Sequence, residues 1–381
     1  MKSLPPFKIC ITSLLGAMLM LLSTSMMAQE TAEYGVRGVI KDSNTGESLP
    51  FANVFFAGTT FGTTSDQEGT FTLKTDGPGT YNLVISFMGY KPYKRQVVLN
   101  QPGILNLTID MQPEPRFIGE VTVTAKKDRQ WKKLLKTFKG IFLGTSENAR
   151  NCKILNEDIL FLDMDNKTQI FEAYAGEPLI IENEALGYKI TYVLESFKIN
   201  YAEGYFDFSG FPSIVELEGS ERQEQRWLQR RDHAYFGSME HFLRALYKGK
   251  SYAAGFRVQR GKNTGSIRTL EREDFLVDNE VSTSADGVRK ELTFNNYIYV
   301  RYLGQKPDKY YVASLPASAP ANIKYSNNQL SWFQMPIGEN ILVFEKSGFC
   351  VNPQAFIMEG YWNFMKMADL LPVNYKPSNQ F

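Results

Sequence analysis

Between Tyr34 and Met111, apolar side chains recur at every second position over short segments, and polar turns interrupt them. A period of two is the mark of strands with one buried face. Tyr34, Val36 and Ile40 share a face, with Gly38 between them, and Phe71 with Leu73 share another. Tyr81, Leu83, Ile85 and Phe87 form a third run, and Leu105, Leu107, Ile109 and Met111 a fourth. The interruptions "DSNTGES", "SDQEG" and "DGPG" carry the residues that turns demand. About seven antiparallel strands fit this span. Two packed sheets are the closure that buries one face of each strand.

The turns have their own chemistry. Asp66 can accept from the backbone of "SDQEGTF", and Gly69 supplies a conformation that other residues resist. A calcium ligand at Asp66 is the alternative to this plain turn. Leu49-Pro50 sets an extended entry to the next strand.

The same residues carry a resemblance. "GVIKDSNTGESLPFANVFF", "GTTSDQEGTFTL" and "YNLVISFMGYKPYKRQVVL" resemble the carboxypeptidase-regulatory-like domain. That family implies a transthyretin-like β-sandwich, here over residues 34–112, of the kind that stands at the front of many exported Gram-negative envelope proteins. Metallocarboxypeptidases carry a similar sandwich beside a zinc domain. The zinc ligands are missing: the two histidines are His233 and His241, and Phe236 and Arg244 stand where a His-x-x-Glu pair needs glutamate. No HExxH is present. After "QPEPRF" comes "IGEVTVTA", which resembles the segment joining this sandwich to the plug of TonB-dependent receptors. Residues 113–127 are therefore expected to be linker and connecting strand. Too little chain follows for a large outer-membrane barrel, and no ladder of membrane strands is evident.

The first residues give an address. Lys2 and Lys8 precede the apolar run Ile9–Leu22, and "STSMMAQ" follows. This is the pattern of a secretory signal peptide, residues 1–28, cleaved after Ala28. An uncleaved anchor is the alternative, but no Lys or Arg follows until Arg37. Nothing later resembles a transmembrane helix. Removing Lys2 and Lys8 takes Lys+Arg from 42 to 40 against 41 Asp+Glu, so the mature chain is nearly neutral. That balance argues against nucleic-acid binding.

Residues 128–381 are expected to form an α+β module of antiparallel strands and two or three helices. "DRQWKKLLKTFKGIFLG" has Trp131, Leu134, Leu135, Phe138, Ile141 and Phe142 at helical spacing, with Asp128 as cap and Gly144 as stop. Lys132, Lys133, Lys136 and Lys139 make the other face basic, suited to an acidic partner or anionic lipid, or simply solvated. "LGYKITYVLESFKINYAEGYFDF" alternates like a hairpin, and Tyr205, Phe206, Phe208 and Phe211 could form a stacking platform for a sugar or peptide, or pack on the sheet. A second helical stretch starts at Ser220, which forms a capping box with Gln223, and Leu228, Tyr235, Met239, Phe242 and Leu246 keep its spacing, with Gly237 as a bend or break within it. Arg226, Arg230, Arg231 and Arg244 have the chemistry to bind phosphate or carboxylate, and equally to pair with nearby acids. Ser251 to Val351 is expected to be mostly strand, with a short final helix ended by Pro372. Asp163 and Asp165 lack a third metal ligand and belong to a loop between strands. Cys152 and Cys350 either close one disulfide in an oxidising compartment or stand as two buried thiols. Several phrases here, among them "AYFGSMEHFLRALY" and "YWNFMKMADLLPVNY", resemble an uncharacterised exported family with the same front domain.

No nucleophile elbow, phosphate loop or zinc signature occurs in either module. The expected function is a non-catalytic exported envelope protein, without a cofactor, that acts through protein contacts or as a scaffold in the periplasm or at the periplasmic face of the outer membrane, with an outer-membrane receptor as one candidate partner. A carbohydrate- or peptide-binding module is the alternative, and an unrecognised hydrolase the third reading.

Overall fold

The computed structural model describes residues 32–114, 129–264, 267–271, 275–335, 341–353 and 356–378. The signal segment, most of the linker and Asp128 lie outside them.

Alternation becomes seven strands: β1 (Tyr34–Asp42), β2 (Asn53–Phe56), β3 (Gly62–Thr64), β4 (Thr70–Thr75), β5 (Gly79–Ser86), β6 (Tyr93–Leu99) and β7 (Gly103–Met111). They form two sheets, ordered β4-β1-β7 and β3-β2-β5-β6. Val36, Ile40, Phe71, Leu83, Ile85 and Ile109 close the core between them. One pairing differs from the antiparallel expectation: β7 runs parallel to β1 throughout, from Tyr34 opposite Gly103 to Asp42 opposite Met111. Alternation fixes which face is buried, but strand direction follows from how the chain returns between the sheets. Gly38 interrupts the apolar face of β1 because a Cβ there would lie 2.4 Å from the Leu107 carbonyl oxygen. Asp66 accepts from the Glu68 and Thr70 amides, as a turn residue does.

The second module has two cores. In the first, β8 (Cys152–Ile154), β11 (Leu179–Asn183), β12 (Tyr188–Asn200), β10 (Ile170–Ala175) and β9 (Leu160–Asp165) form a sheet, with β13 (Tyr205–Glu216) paired along β12. Helix α1 (Arg129–Phe142) lies on it through Leu135, Phe138 and Phe142. The Phe138 ring meets Phe197 at 4.6 Å between centroids, and Phe142 meets Tyr192 at 5.0 Å. Asp163 and Asp165 lie in β9 itself, not in a loop, and Asp165 caps the turn that follows through the Lys167 amide.

Helix α2 (Glu221–Tyr235) begins with the Ser220–Gln223 capping box. Its buried face carries Trp227, Arg231, Ala234 and Tyr235, while Leu228 is exposed, so the burial stripe sits one residue earlier than its apolar spacing suggests. Gly237, at φ +91°, ends it; a Cβ there would collide with Gln329 Oε1 at 2.1 Å. Helix α3 (Met239–Tyr247) then turns its Phe242, Leu243 and Leu246 into the second core.

That core is walled by two further sheets. One orders β15 (Ile267–Leu270), β14 (Phe256–Thr264), β18 (Tyr297–Tyr302), β19 (Gln329–Gln334) and β21 (Ile357–Gly360). The other orders β16 (Val281–Thr283), β17 (Lys290–Thr293) and β20 (Ile341–Phe344). Short helices α4 (Lys309–Ser314), α5 (Ala321–Lys324) and α6 (Tyr361–Phe364) are also formed; α6 lies in the region expected to hold a final helix but ends at Phe364, short of the expected stop at Pro372.

The sandwich is joined to the second module. Phe55 and Val84, on the outer face of β2 and β5, are buried against Val193 and Phe211. The Gly58 amide donates to Pro212 O at 2.7 Å, and the Val373 amide donates to Gly58 O at 2.7 Å. Asn374 exchanges two bonds with Thr60, at 3.1 and 2.7 Å. The C-terminal residues thus act as a strap across both modules. Arg244 holds that strap, donating to the carbonyls of Ser347, Val373 and Tyr375 at 2.7, 2.7 and 2.8 Å.

Candidate functional site

The residues singled out from sequence separate into different places. Leu135, Phe138 and Phe142 turn α1 onto the sheet, which leaves Lys132, Lys133 and Lys136 exposed; Lys139 pairs with Glu157. The aromatic platform is divided by the period-two rule that builds β13. Phe206 and Phe208 pack against the first core, under the Lys366 ammonium, which lies 4.6 and 6.0 Å from their ring centroids. Burial brings that amine down to about 8. Tyr205 stays exposed at the hairpin end, and Phe211 is part of the joint with the sandwich. The four rings therefore do not present one stacking surface.

Cys152 and Cys350 are free thiols, not a disulfide. They sit in different cores, Cys152 beside β11 and Cys350 against the cluster around Phe242 and Phe344. Burial pushes both thiols up to about 12. His241 is enclosed by the rings of Tyr235, Phe236, Phe256 and Tyr302, and its Nδ1 accepts the Gly237 amide at 3.1 Å. Desolvation brings it down to about 4, so it is a neutral core residue at pH 7. Among the described residues, no group of three His, Cys, Asp or Glu side chains is placed to hold a metal ion. No described helix is long and apolar enough to cross a membrane.

The four arginines also part company. Arg231 is buried, donating to Leu186 O and Gly187 O at 2.7 and 3.0 Å and pairing with Glu216 at 3.1 Å. Arg244 anchors the strap, and Arg226 is exposed on α2. Arg230 alone of the four lines a cavity of about 500 Å³.

That cavity opens where the two cores of the second module meet. Its walls come from the 146–148 turn, the end of α2, the 305–309 loop, Gln329 and the segment from Tyr361 to Asp369. Its volume is within the roughly 300–1,000 Å³ usual for small-molecule sites. Asp369 lies at its edge with its carboxyl below the surface: Oδ1 accepts from Ser146 Oγ at 3.0 Å and from Asn148 Nδ2 at 2.9 Å, and Oδ2 is enclosed. Desolvation raises this acid to about 6. Sequence reasoning named Arg230 and His233 from these walls, and Phe236 merely as a missing zinc ligand, because five separate segments supply them.

A second surface lies at one end of the sandwich. Asn53 pairs with Ser86, and just beyond that pair Phe51 and Met88 stand 64% and 74% exposed. Phe51 has φ +59°, with its amide donating to Ser65 O at 3.0 Å. A left-handed conformation costs a non-glycine residue about 1–2 kcal/mol, and here it directs a phenyl ring into solvent. The chain leaves the sandwich beside this end, the Glu114 amide donating to Gly89 O at 2.8 Å.

Comparison with known proteins agrees with the sandwich. Residues 36–123 match the CarboxypepD_reg-like domain. A segment of 113 residues is 34% identical to the TonB-dependent receptor SusC of Bacteroides thetaiotaomicron, over 30% of this chain and 10% of the receptor. The chain thus spans about a tenth of the length of that curated relative. Among solved structures, a protein of unknown function from Bacteroides fragilis is 16% identical, at TM-score 0.18, over 49% of this chain and 84% of that one. A DUF3823 family protein from Parabacteroides merdae is 14% identical, at TM-score 0.17, over 50% and 81%. At such scores neither structure bears on the function of this chain.

Proposed function

We propose, starting from a chain whose first domain is CarboxypepD_reg-like, that this is an exported cell-envelope protein that works by contact and not by catalysis. The observation that carries the reading is Phe51. A large apolar side chain is held exposed, in a backbone conformation that disfavours it, beyond the same end of the β2–β5 pair as an exposed Met88. Strain and exposed apolar surface together mark a binding face better than a folding requirement. The joint of the sandwich to the second module makes the pair one docking body, so a partner held at the sandwich end also holds the second module. The partner in this reading is an envelope protein, with an outer-membrane receptor favoured by the likeness to SusC. The exposed Lys132, Lys133 and Lys136 provide a second, basic contact face for it.

Fractionation of producing cells tests the address. The chain should be found in the envelope fraction, beginning at Gln29. Recovery of the uncleaved chain from the cytosol would overturn the reading.

A further inference from the structure

The cavity of the second module has an uneven distribution of charge. Glu147, Asp308 and Lys309 are engaged with one another or with backbone: Glu147 pairs with Lys309 at 3.4 Å, and Asp308 accepts the amides of Tyr310 and Glu147 at 2.7 and 3.0 Å. Asp369 has its Oδ1 held by Ser146 and Asn148, while its Oδ2 is enclosed without a hydrogen-bond partner. Glu147 and Asp308 are therefore already engaged, and of Asp369 one oxygen is.

Two bases of the same lining are not. Arg230 and Lys306 are exposed and make no ion pair among the described residues. On α2, the neighbours of Arg230 three and four positions away are Arg226, Trp227, His233 and Ala234, none of them acidic. His233 lines the cavity one turn on. Lys306 arrives from a different segment, and it is brought to the helix end by Gln305. With the Gln305 amide nitrogen toward the helix, it donates to the carbonyls of His233 and Phe236 at 3.2 and 3.3 Å. The dipole of α2 accounts for cations in its own last turn, but not for a lysine delivered from the 305–309 loop. The lining also includes the aromatic rings of Phe236, Tyr361 and Phe364.

We propose that this cavity binds a small organic oxyanion, a carboxylate or a phosphate, with its charge held by Arg230 and Lys306 beside His233 and its apolar body against Phe236, Tyr361 and Phe364. This goes beyond the contact role and is independent of the sandwich end.

The test is calorimetric titration of the mature chain with phenylacetate, phenyl phosphate and benzyl alcohol. One or both anions should bind saturably, and which of the two is tighter distinguishes carboxylate from phosphate. Benzyl alcohol should bind at least about tenfold more weakly, the factor expected from a charge-assisted contact. The double variant R230Q/K306Q changes two exposed side chains, so it should keep the wild-type melting curve while losing at least about tenfold in anion affinity. F51N should bind the anion as wild type does. Binding of benzyl alcohol as tight as of the anions, unchanged affinity in the double variant, or no binding of either anion at millimolar concentration would overturn the proposal.

Discussion

The carboxylate of Glu345, in the second module, accepts the backbone amide of Thr80, in the sandwich, with its two oxygens at 3.0 and 3.1 Å. Both residues are buried, so the bond is made inside the joint. E345A would leave the Thr80 amide without an acceptor, at about 1–3 kcal/mol. E345Q keeps an acceptor and should cost less. Because Glu345, Val84 and Phe55 bind the modules together, thermal unfolding of the wild type should be one cooperative transition. E345A should lower or split it in a calorimetric scan.

Arg244 anchors the strap from the other side. R244A removes three charge-assisted bonds to carbonyls and should cost about 2–3 kcal/mol. The segment after Pro372 should then become sensitive to protease while the core of the second module stays resistant. R244K should rescue little, since an ammonium cannot match the planar fork that reaches Ser347, Val373 and Tyr375 together.

His241 and Asp369 act oppositely on stability as pH falls. His241 is brought down to about 4 in the fold, from 6.5. Below pH 6.5 the unfolded chain takes up the proton first, and stability is lost down to about pH 4. Asp369 is raised to about 6, from 3.8, so the folded chain takes up its proton first and stability is gained between about pH 6 and 4. Each shift is worth about 3 kcal/mol, and the two largely cancel. In D369N the gain disappears. That variant should be more stable than wild type at pH 8 and should lose stability more steeply between pH 6 and 4, as followed by urea unfolding.

Much of this was legible in sequence, and the failures have physical causes. The strands of the sandwich follow from alternation, because each has one face on a shared core. The joint also left a signal. Phe55 and Val84 are apolar where β2 and β5 should alternate to polar, which marks a second covered face. The split of the aromatic platform was implied by the same period, since Tyr205 and Phe211 differ in parity from Phe206 and Phe208. The cavity left no such trace. It is made of short pieces from distant segments, and only packing of the two cores brings Arg230 and Lys306 to one opening.

The thiols offer a simple check on the two cores. With both pushed up to about 12, Cys152 and Cys350 should resist iodoacetamide in the folded chain at pH 7.5 and react fully in denaturant. Two alkylated cysteines by mass, without prior reduction, are expected. None under denaturing conditions would mean a disulfide instead.

The central claim is that the sandwich end is a contact face, and photo-cross-linking tests it most directly. A photoreactive phenylalanine analogue at position 51, in cells producing the chain, should give a discrete adduct with an outer-membrane protein. The same analogue at Leu276, an exposed position of the second module, should not. F51N, which relieves the left-handed strain, should melt no lower than wild type yet lose co-purification with the protein identified in that adduct. Absence of an adduct at position 51, or an F51N chain that keeps its partner, would contradict the account.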